Sequence, residues 1–468
     1  MTDAVRRLVS GLRRAESALS VPVDIAWLAA LRVLFGLAMC VSMLRFIAYG
    51  WIDRLFIEPT FRFKYWGFEW VEALSPPLMH ALVWALAALA LAMAAGFRFR
   101  LAAWLFTLGF AYLELLDVTN YLNHYYLAAL LAALLALSPA HRALSIDACL
   151  EPGRASQVAP RFWLYLFRFQ VGVVYTFAGL AKAHSDWLLH AQPLRIWLGS
   201  VTDMPVLGAL FAQPWAPIAM SWAGFLFDTT IVWWLLFRRT RPFAYALVIV
   251  FHTLTGLLFP IGMFPVIMVL AALVFFEPDW PRRLAAAVLP RLRGSVLAGS
   301  ALATAPGRGI GRAALALTAL YCAAQLIVPL RFLAYGGNVR WHEQGMRFSW
   351  RVMVREKNGS VTYLVKQKST GRVLHVSPSR YLTPLQERDM SAQPDLILRL
   401  AHHGRDDIER RGFGPVEVRV EALVSLNGRK LAPLIDPDVD LTQIEDGIGL
   451  ARWILPAPGG APPHVRPI

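Results

Sequence analysis

The sequence predicts a mainly α-helical, polytopic integral membrane bundle of about nine spans that carries a C-terminal extracytoplasmic β-rich domain. Three observations predict it. Hydrophobic residues make up 57% of the 468 residues and the mean hydropathy is +0.48, too apolar for a chain bathed in water on all sides. Apolar runs of about 17 to 25 residues, the length that crosses a hydrocarbon core, recur between residues 25 and 334. After residue 335 these runs give way to segments of alternating polarity.

Residues 1–24 carry arginines at helical spacing without a signal-peptide core, and read as a cytoplasmic amphipathic lead-in on the membrane surface. The membrane domain is placed at 25–334. Its first span is about 25–48, followed by an aromatic loop of mixed charge. The second, about 77–96, ends at the basic turn Phe97 to Arg100. The third, about 101–117, stops at Asp117, and a polar bend to Tyr126 leads into the fourth, about 125–138. A basic loop, 139–161, precedes the fifth span, about 162–182. The segment after Lys182, with Trp187, Trp197 and Trp215, reads as a helix or re-entrant piece at the interface. The sixth span (about 218–237) ends in Arg238 to Arg241; the seventh is about 243–258 and the eighth about 262–276. A basic stretch at 281–293 precedes the ninth, near 312–333.

The β-rich domain is placed at 335–452. Residues 348–354, 361–367, 372–378 and 416–426 alternate, and the last runs into Asn427-Gly428, a hairpin signal. Residues 394–411 read as an amphipathic helix. A Pro/Gly-rich tail, 453–468, is expected to be disordered. There is no internal repeat.

The net charge of +15 suggests nucleic acid only until the arginines are located. They cluster between apolar runs, and with nine spans five basic segments fall on one side, which the positive-inside rule makes cytoplasmic. The N-terminus is then inside and everything beyond 335 outside. Cys40, Cys149 and Cys322 show no CxxC spacing, so neither a disulfide framework nor a metal cluster is expected.

Function concentrates in Tyr175 to Trp187, YTFAGLAKAHSDW, where an apolar run ends on Lys182. Two readings of this lysine stand. Its ammonium snorkels to the headgroups, or it is held away from water, where the neutral amine is favoured and serves as a base. The topology brings other polar residues to the same end of the bundle: Asp117, Asn120, Asn123 and His124, then His184 and Asp186, then His252. Each has a plain explanation alone, as an interfacial cap or a helix–helix hydrogen bond. Asp228, within span six, is costly there unless paired. Together they describe an apolar, aromatic cavity open to the outside, suited to a lipid-soluble substrate from the bilayer and a polar one from outside. No His or carboxylate pair has metal-ligand spacing on one helix, and no phosphate loop or GxSxG elbow occurs.

These motifs resemble those of the vitamin K-dependent gamma-glutamyl carboxylase family, a branch of the horizontally transferred transmembrane domain group. YTFAGLAKAHSDW is similar to the family's Tyr-Phe-x-Ala-Gly-x-x-Lys-x-x-x-Asp-Trp signature. LDVTNYLNHYYL is similar to its Leu-Asp-Lys-x-x-x-Asn-Asn-His-x-Tyr-Leu, with Leu122 in place of the first paired asparagine. SPAHRALSIDACL, FHTLTGLLFPIGMFPVIM, EPDWPRRL, FSWRVMV and LIDPDVDL have counterparts in the same order. The resemblance covers most of the chain. It implies that a lysine base deprotonates reduced vitamin K (phylloquinol or menaquinol), that O2 adds, and that the resulting strong base removes a γ-proton from a protein glutamate. The carbanion captures CO2 and the quinone leaves as its epoxide, with no metal. By this carry-over Lys182 is the initiating base, a lone lysine kept neutral by its pocket, and His124 is the active-site histidine. Asn123, Asn120, Tyr175, Trp187, His252 and Phe264 are cofactor-binding candidates; Arg331, Trp341 and Trp350 are substrate-binding candidates. The implied partners are the lipid bilayer, the quinol and a glutamate-containing protein or peptide, without nucleic acid; the arginine- and alanine-rich composition points to a bacterial source, and so to an inner membrane. The chain departs from the family at Met346, Arg347-Phe348 and Arg355, positions of the glutamate-binding region, so quinol oxidation is carried over more directly than carboxylation. Two alternatives remain open at this point: a quinol epoxidase that carboxylates nothing, and a non-catalytic membrane binding or transport protein of the same fold.

Overall fold

The computed structural model describes residues 14, 16–288 and 310–463. Its helical part comprises α1 (Ala26–Ala48), α2 (Pro76–Ala95), α3 (Phe99–Leu115), α4 (Asn123–Leu137), α5 (Arg161–Lys182), α6 (Ala216–Leu236), α7 (Arg241–Leu258), α8 (Phe264–Ala272), α9 (Trp280–Val288) and α10 (Arg312–Leu330). A helix covers each of the nine expected spans. Among the described residues, six are long and apolar enough to cross a membrane: α1, α2, α5, α6, α7 and α10 with its extension to Ala334. The number rises to seven if Phe264–Phe275 and Trp280–Val288, bent by 102°, form one broken span. Helices α3 and α4 stop at 17 and 15 residues, because the polar bend between them takes residues that would lengthen both.

The local reasons are plain. Helix α2 begins with Pro76-Pro77, where no backbone N–H is needed, and ends on Gly96 at φ 67°. Helices α1 and α2 touch through Gly36, whose missing Cβ would lie 2.7 Å from the Ala94 backbone nitrogen. The outer helices are sparsely covered by protein, 28% for α6 and α7 and 11% for α10. Their exposed side chains include Trp233, Val250, Leu317 and Ile327, the surface that lipid solvates and water does not. This is a multi-pass membrane protein.

Most of the expected N-terminal lead-in, residues 1–13 and 15, lies outside the described residues, as do 289–309 of the basic stretch before α10 and 464–468 of the tail. Residues Pro22–Asp24 form β1, antiparallel to β2 (Val158–Pro160).

Beyond α10, β3 (Lys357–Gln367), β4 (Val373–Val376), β5 (Val416–Leu426) and β6 (Ala432–Pro433) form an antiparallel sheet in the order β4-β3-β5-β6. Strands β3 and β5 pair from Lys357↔Leu426 to Gln367↔Val416. The inward residues of β5 alternate from Val416 to Leu426 and pack with Leu396, Ile397 and Leu400 of α12 (Pro394–Ile408). Helix α11 (Pro384–Met390) starts in a Thr383/Gln386 capping box. Phe63 and Val118 of the helical part join this core, and Gln386 Nε2 donates to Asp117 Oδ2 at 2.7 Å. The two parts therefore share a continuous joint.

Two expectations are corrected here. Residues 348–354 are not a strand: Phe348, Trp350 and Met353 sit at φ 58°, 58° and 53°, left-handed turns that a pleated strand excludes. Phe348 and Trp350 pack on Tyr126, with ring centroids 5.0 and 4.9 Å apart. The tail is ordered through Pro463, because its carbonyls are used: Leu455 O accepts from Trp341 Nε1, Gly460 O from Arg429 Nη2 and Pro463 O from Gln192 Nε2.

Candidate active site

Lys182 is the last residue of α5. Its Nζ donates to Asp228 Oδ2 of α6 at 2.7 Å and to Ala178 O at 3.2 Å. Both side chains of this ion pair are only 7% exposed. The lysine expected to be alone is thus paired. The pairing depends on Gly179, one turn back: a Cβ there would lie 2.6 Å from Thr229 Cγ2 and 2.9 Å from Thr229 N. Only glycine lets α5 approach α6 closely enough. The Trp187 ring stands 5.4 Å from Nζ, and its own Nε1 is fixed on Ser221 O at 2.8 Å. His184 turns the chain: its Nδ1 caps the short helix Ser185–Leu188 by accepting from Trp187 N at 3.2 Å. That bond requires a neutral ring, and burial, aided by Arg340, holds the imidazole down at about 3.

A narrow chamber of about 90 Å³ contains this pair. Its polar lining is Lys182, Asp228, Tyr175, His252 and Thr255; the rest is apolar or aromatic, including Trp187 and Phe264. Tyr175 Oη and His252 Nε2 are 2.9 Å apart, and the buried His252 Nδ1 has no partner among the described residues. A second, larger chamber of about 780 Å³ is lined by Asn120, Asn123, His124 and Phe264, and by Arg54, Arg355 and Arg388 together with Glu114, Glu356 and Asp389. The buried His124 ring faces Phe264 at 6.1 Å. Gly262, at φ 59°, passes so close that a Cβ would be 3.3 Å from His124 Nε2.

The chambers abut. Six residues line both: Trp197, Phe259, Ile261, Phe264, Val352 and Met353. The last two come from the left-handed segment after α10, which is held by Tyr121 Oη accepting from Phe348 N at 2.8 Å and by Val352 N donating to Trp350 O at 3.0 Å. Left-handed non-glycine residues cost about 1–3 kcal/mol each and persist where their surroundings over-determine them. Arg355, just beyond, pairs with Glu343 at 2.7 Å, and Glu343 also holds buried Lys357 at 3.0 Å.

The candidates from sequence thus separate. Lys182, Tyr175, Trp187, His252 and Phe264 meet in the inner chamber; His124, Asn120, Asn123 and again Phe264 line the outer one. Arg331 lines a third cavity of about 710 Å³, away from both. Trp341 is buried in the core of the sheet part, and Trp350 is buried against Tyr126. Sequence reasoning missed the Asp228 contact, for which the only signal was a carboxylate amid apolar residues. It also missed Val352 and Met353, which carry no chemical label.

An amine beside a carboxylate in an apolar chamber can take a proton from a weakly acidic hydroxyl. The adjoining polar-lined chamber can present a second substrate. Comparison with known families divides the chain into two domains. The HTTM domain matches residues 21–280, more than half of the chain, and the vitamin K-dependent gamma-carboxylase lumenal domain matches residues 311–459. No solved structure matches the chain. The chain belongs to the vitamin K-dependent gamma-carboxylase family of HTTM-domain proteins.

Proposed function

We propose that the protein is a membrane carboxylase-like enzyme that couples oxygenation of a vitamin K quinol to its epoxide with γ-carboxylation of protein glutamate. The observation that carries the proposal is the buried Lys182–Asp228 pair in a chamber that shares a wall with the His124 chamber. The residues present fit a quinol ring: the inner walls are apolar and aromatic, with hydrogen-bonding groups at Lys182 and at the Tyr175–His252 pair. The inner volume falls below the roughly 300–1,000 Å³ of ordinary ligand pockets, so Met353 or Phe264 moves aside when the ring enters. When bound, the quinol and O2 supply the oxidative power for proton abstraction. Lys182 takes the hydroxyl proton, Tyr175 and His252 orient the far side of the ring, and Trp187 closes the chamber against water. His124, Asn120 and Asn123 line the adjoining chamber, where the glutamate side chain and CO2 meet. Arg54, Arg355 and Arg388, set among Glu114, Glu356 and Asp389, line the same chamber and meet the polar substrate there.

The remaining assignments belong to the same proposal. All nine expected spans cross or enter the membrane, the N-terminal side of the first span faces the cytoplasm of a bacterial cell, and the sheet domain, about 335–452, caps the extracytoplasmic face. The Arg355–Glu343 pair favours a second reading, quinol epoxidation without carboxylation, because it occupies one cation of the His124 chamber.

The test supplies the detergent-purified protein with reduced vitamin K, O2, 14C-bicarbonate and a glutamate-rich peptide. Epoxide and incorporated label are both expected from wild type, and both are lost in Lys182→Ala. Epoxide without label selects the second reading. Neither product from folded wild type, with menaquinol also supplied, removes the enzymatic proposal.

A further inference from the structure

We propose that Lys182 and Asp228 act as one base, in which Asp228 takes up the proton that Lys182 must shed before it accepts the proton of a bound hydroxyl. This rests on the reading of Lys182 as the group that deprotonates a bound hydroxyl. For Lys182 to accept a proton it must first be an amine. In this chamber a neutral amine 2.7 Å from a bare carboxylate would leave a buried anion among apolar side chains, the costly outcome of splitting a buried ion pair. The proton that leaves the ammonium therefore goes to Asp228, whose carboxylate accepts a hydrogen bond from Lys182. The steps balance. One Lys182 N–H bond breaks as an O–H bond forms on Asp228 Oδ2. Then the hydroxyl O–H bond of the quinol breaks, its electron pair stays on that oxygen, and a new N–H bond restores the ammonium. The pair starts with zero net charge and ends at +1, facing the anion it has created, so no charge in the chamber is left without its opposite.

Geometry supports the relay independently. Gly179 sets the approach of the two helices, and Trp187, pinned on Ser221 O, stands close to Nζ on another side. Lys182 and Asp228 both line the same chamber. Asp228 acts through Lys182 and is a positioning residue.

The idea opposes the alternative of a lone lysine on a simple sign. If Asp228 only held Lys182 in its charged form, Asp228→Asn would release the amine, and the rate would hold or rise with its pH optimum moved to lower pH. If Asp228 receives the proton, Asp228→Asn lowers kcat for epoxide formation by about 100-fold or more, the range of general acid–base contributions, while KM for the quinol stays within about twofold. Asp228→Glu restores part of the loss.

A second readout needs no turnover. Infrared difference spectra of wild type, recorded as vitamin K quinol is added under nitrogen, are expected to gain a protonated-carboxyl band. The band is absent in Lys182→Ala and Asp228→Asn. An unchanged or faster Asp228→Asn enzyme, or no carboxyl band in wild type that has bound quinol, overturns the relay. A band in a wild type that makes no epoxide upholds the relay while removing the enzymatic proposal, so the two fail separately.

Discussion

The strut between the two halves of the molecule makes a prediction about pH. Asp186, four residues past Lys182, accepts from Arg429 Nη2 at 2.7 Å, Arg429 Nη1 at 2.8 Å and Asn427 Nδ2 at 2.8 Å. The side chains of Asp186 and Arg429 are 4% and 12% exposed. Burial alone would raise the carboxyl, but the Arg429 and Asn427 hydrogen bonds outweigh it and bring Asp186 from 3.8 down to about 2. A folded-state value below the unfolded one adds stability that is fully present above about pH 4 and is lost as pH falls through about 2. The shift corresponds to about 2 kcal/mol, and solvent screening at the joint reduces it to about 1–2 kcal/mol. Asp186→Asn keeps the shape and removes the charge. Thermal unfolding of detergent-solubilised protein between pH 6 and pH 2 is therefore expected to show a wild-type advantage over Asp186→Asn that shrinks across pH 4 to 2. A difference that stays constant over that window refutes the strut as an ion pair.

Three further outcomes are expected. Lys182→Arg keeps the cation and the contact with Asp228 but, because a guanidinium does not give up its proton, makes no epoxide; thermal melts and epoxide assays check both halves of the statement. Gly179→Ala drives a methyl into Thr229 and separates α5 from α6, costing about 1–3 kcal/mol and lowering epoxide formation with it; an unchanged melt and rate would contradict the close-crossing argument. Met353→Ala removes the flexible part of the shared wall, so epoxide is expected to form with less carboxylation per turnover, measured as the ratio of 14C incorporated to epoxide produced.

Much of the fold is legible in the sequence, for identifiable reasons. Long apolar runs mark helices because lipid demands internal backbone hydrogen bonding, and residues 416–426 read directly as a strand because one face is core and the other is not. The Asn427-Gly428 signal also holds: Arg429 N donates to Leu426 O at 3.1 Å across two residues of positive φ. Residues 348–354 misled because a left-handed turn segment can alternate apolar and polar residues too, which period alone cannot separate from a pleated strand. The inner chamber was half legible. Lys182 and Asp228 each stand out against apolar neighbours, yet their pairing depends on a helix crossing set by Gly179 and is not written in either local stretch. The wall residues Val352 and Met353 were invisible because an apolar partition looks like any other core.

The wall has one more consequence. Val352 and Met353 belong to the part of the chain that follows the last long helix, yet they complete the chamber of Lys182. The seclusion of Lys182 is therefore a property of an assembled seam and of neither half by itself. Whatever grips the sheet domain therefore also bears on a wall of the Lys182–Asp228 chamber.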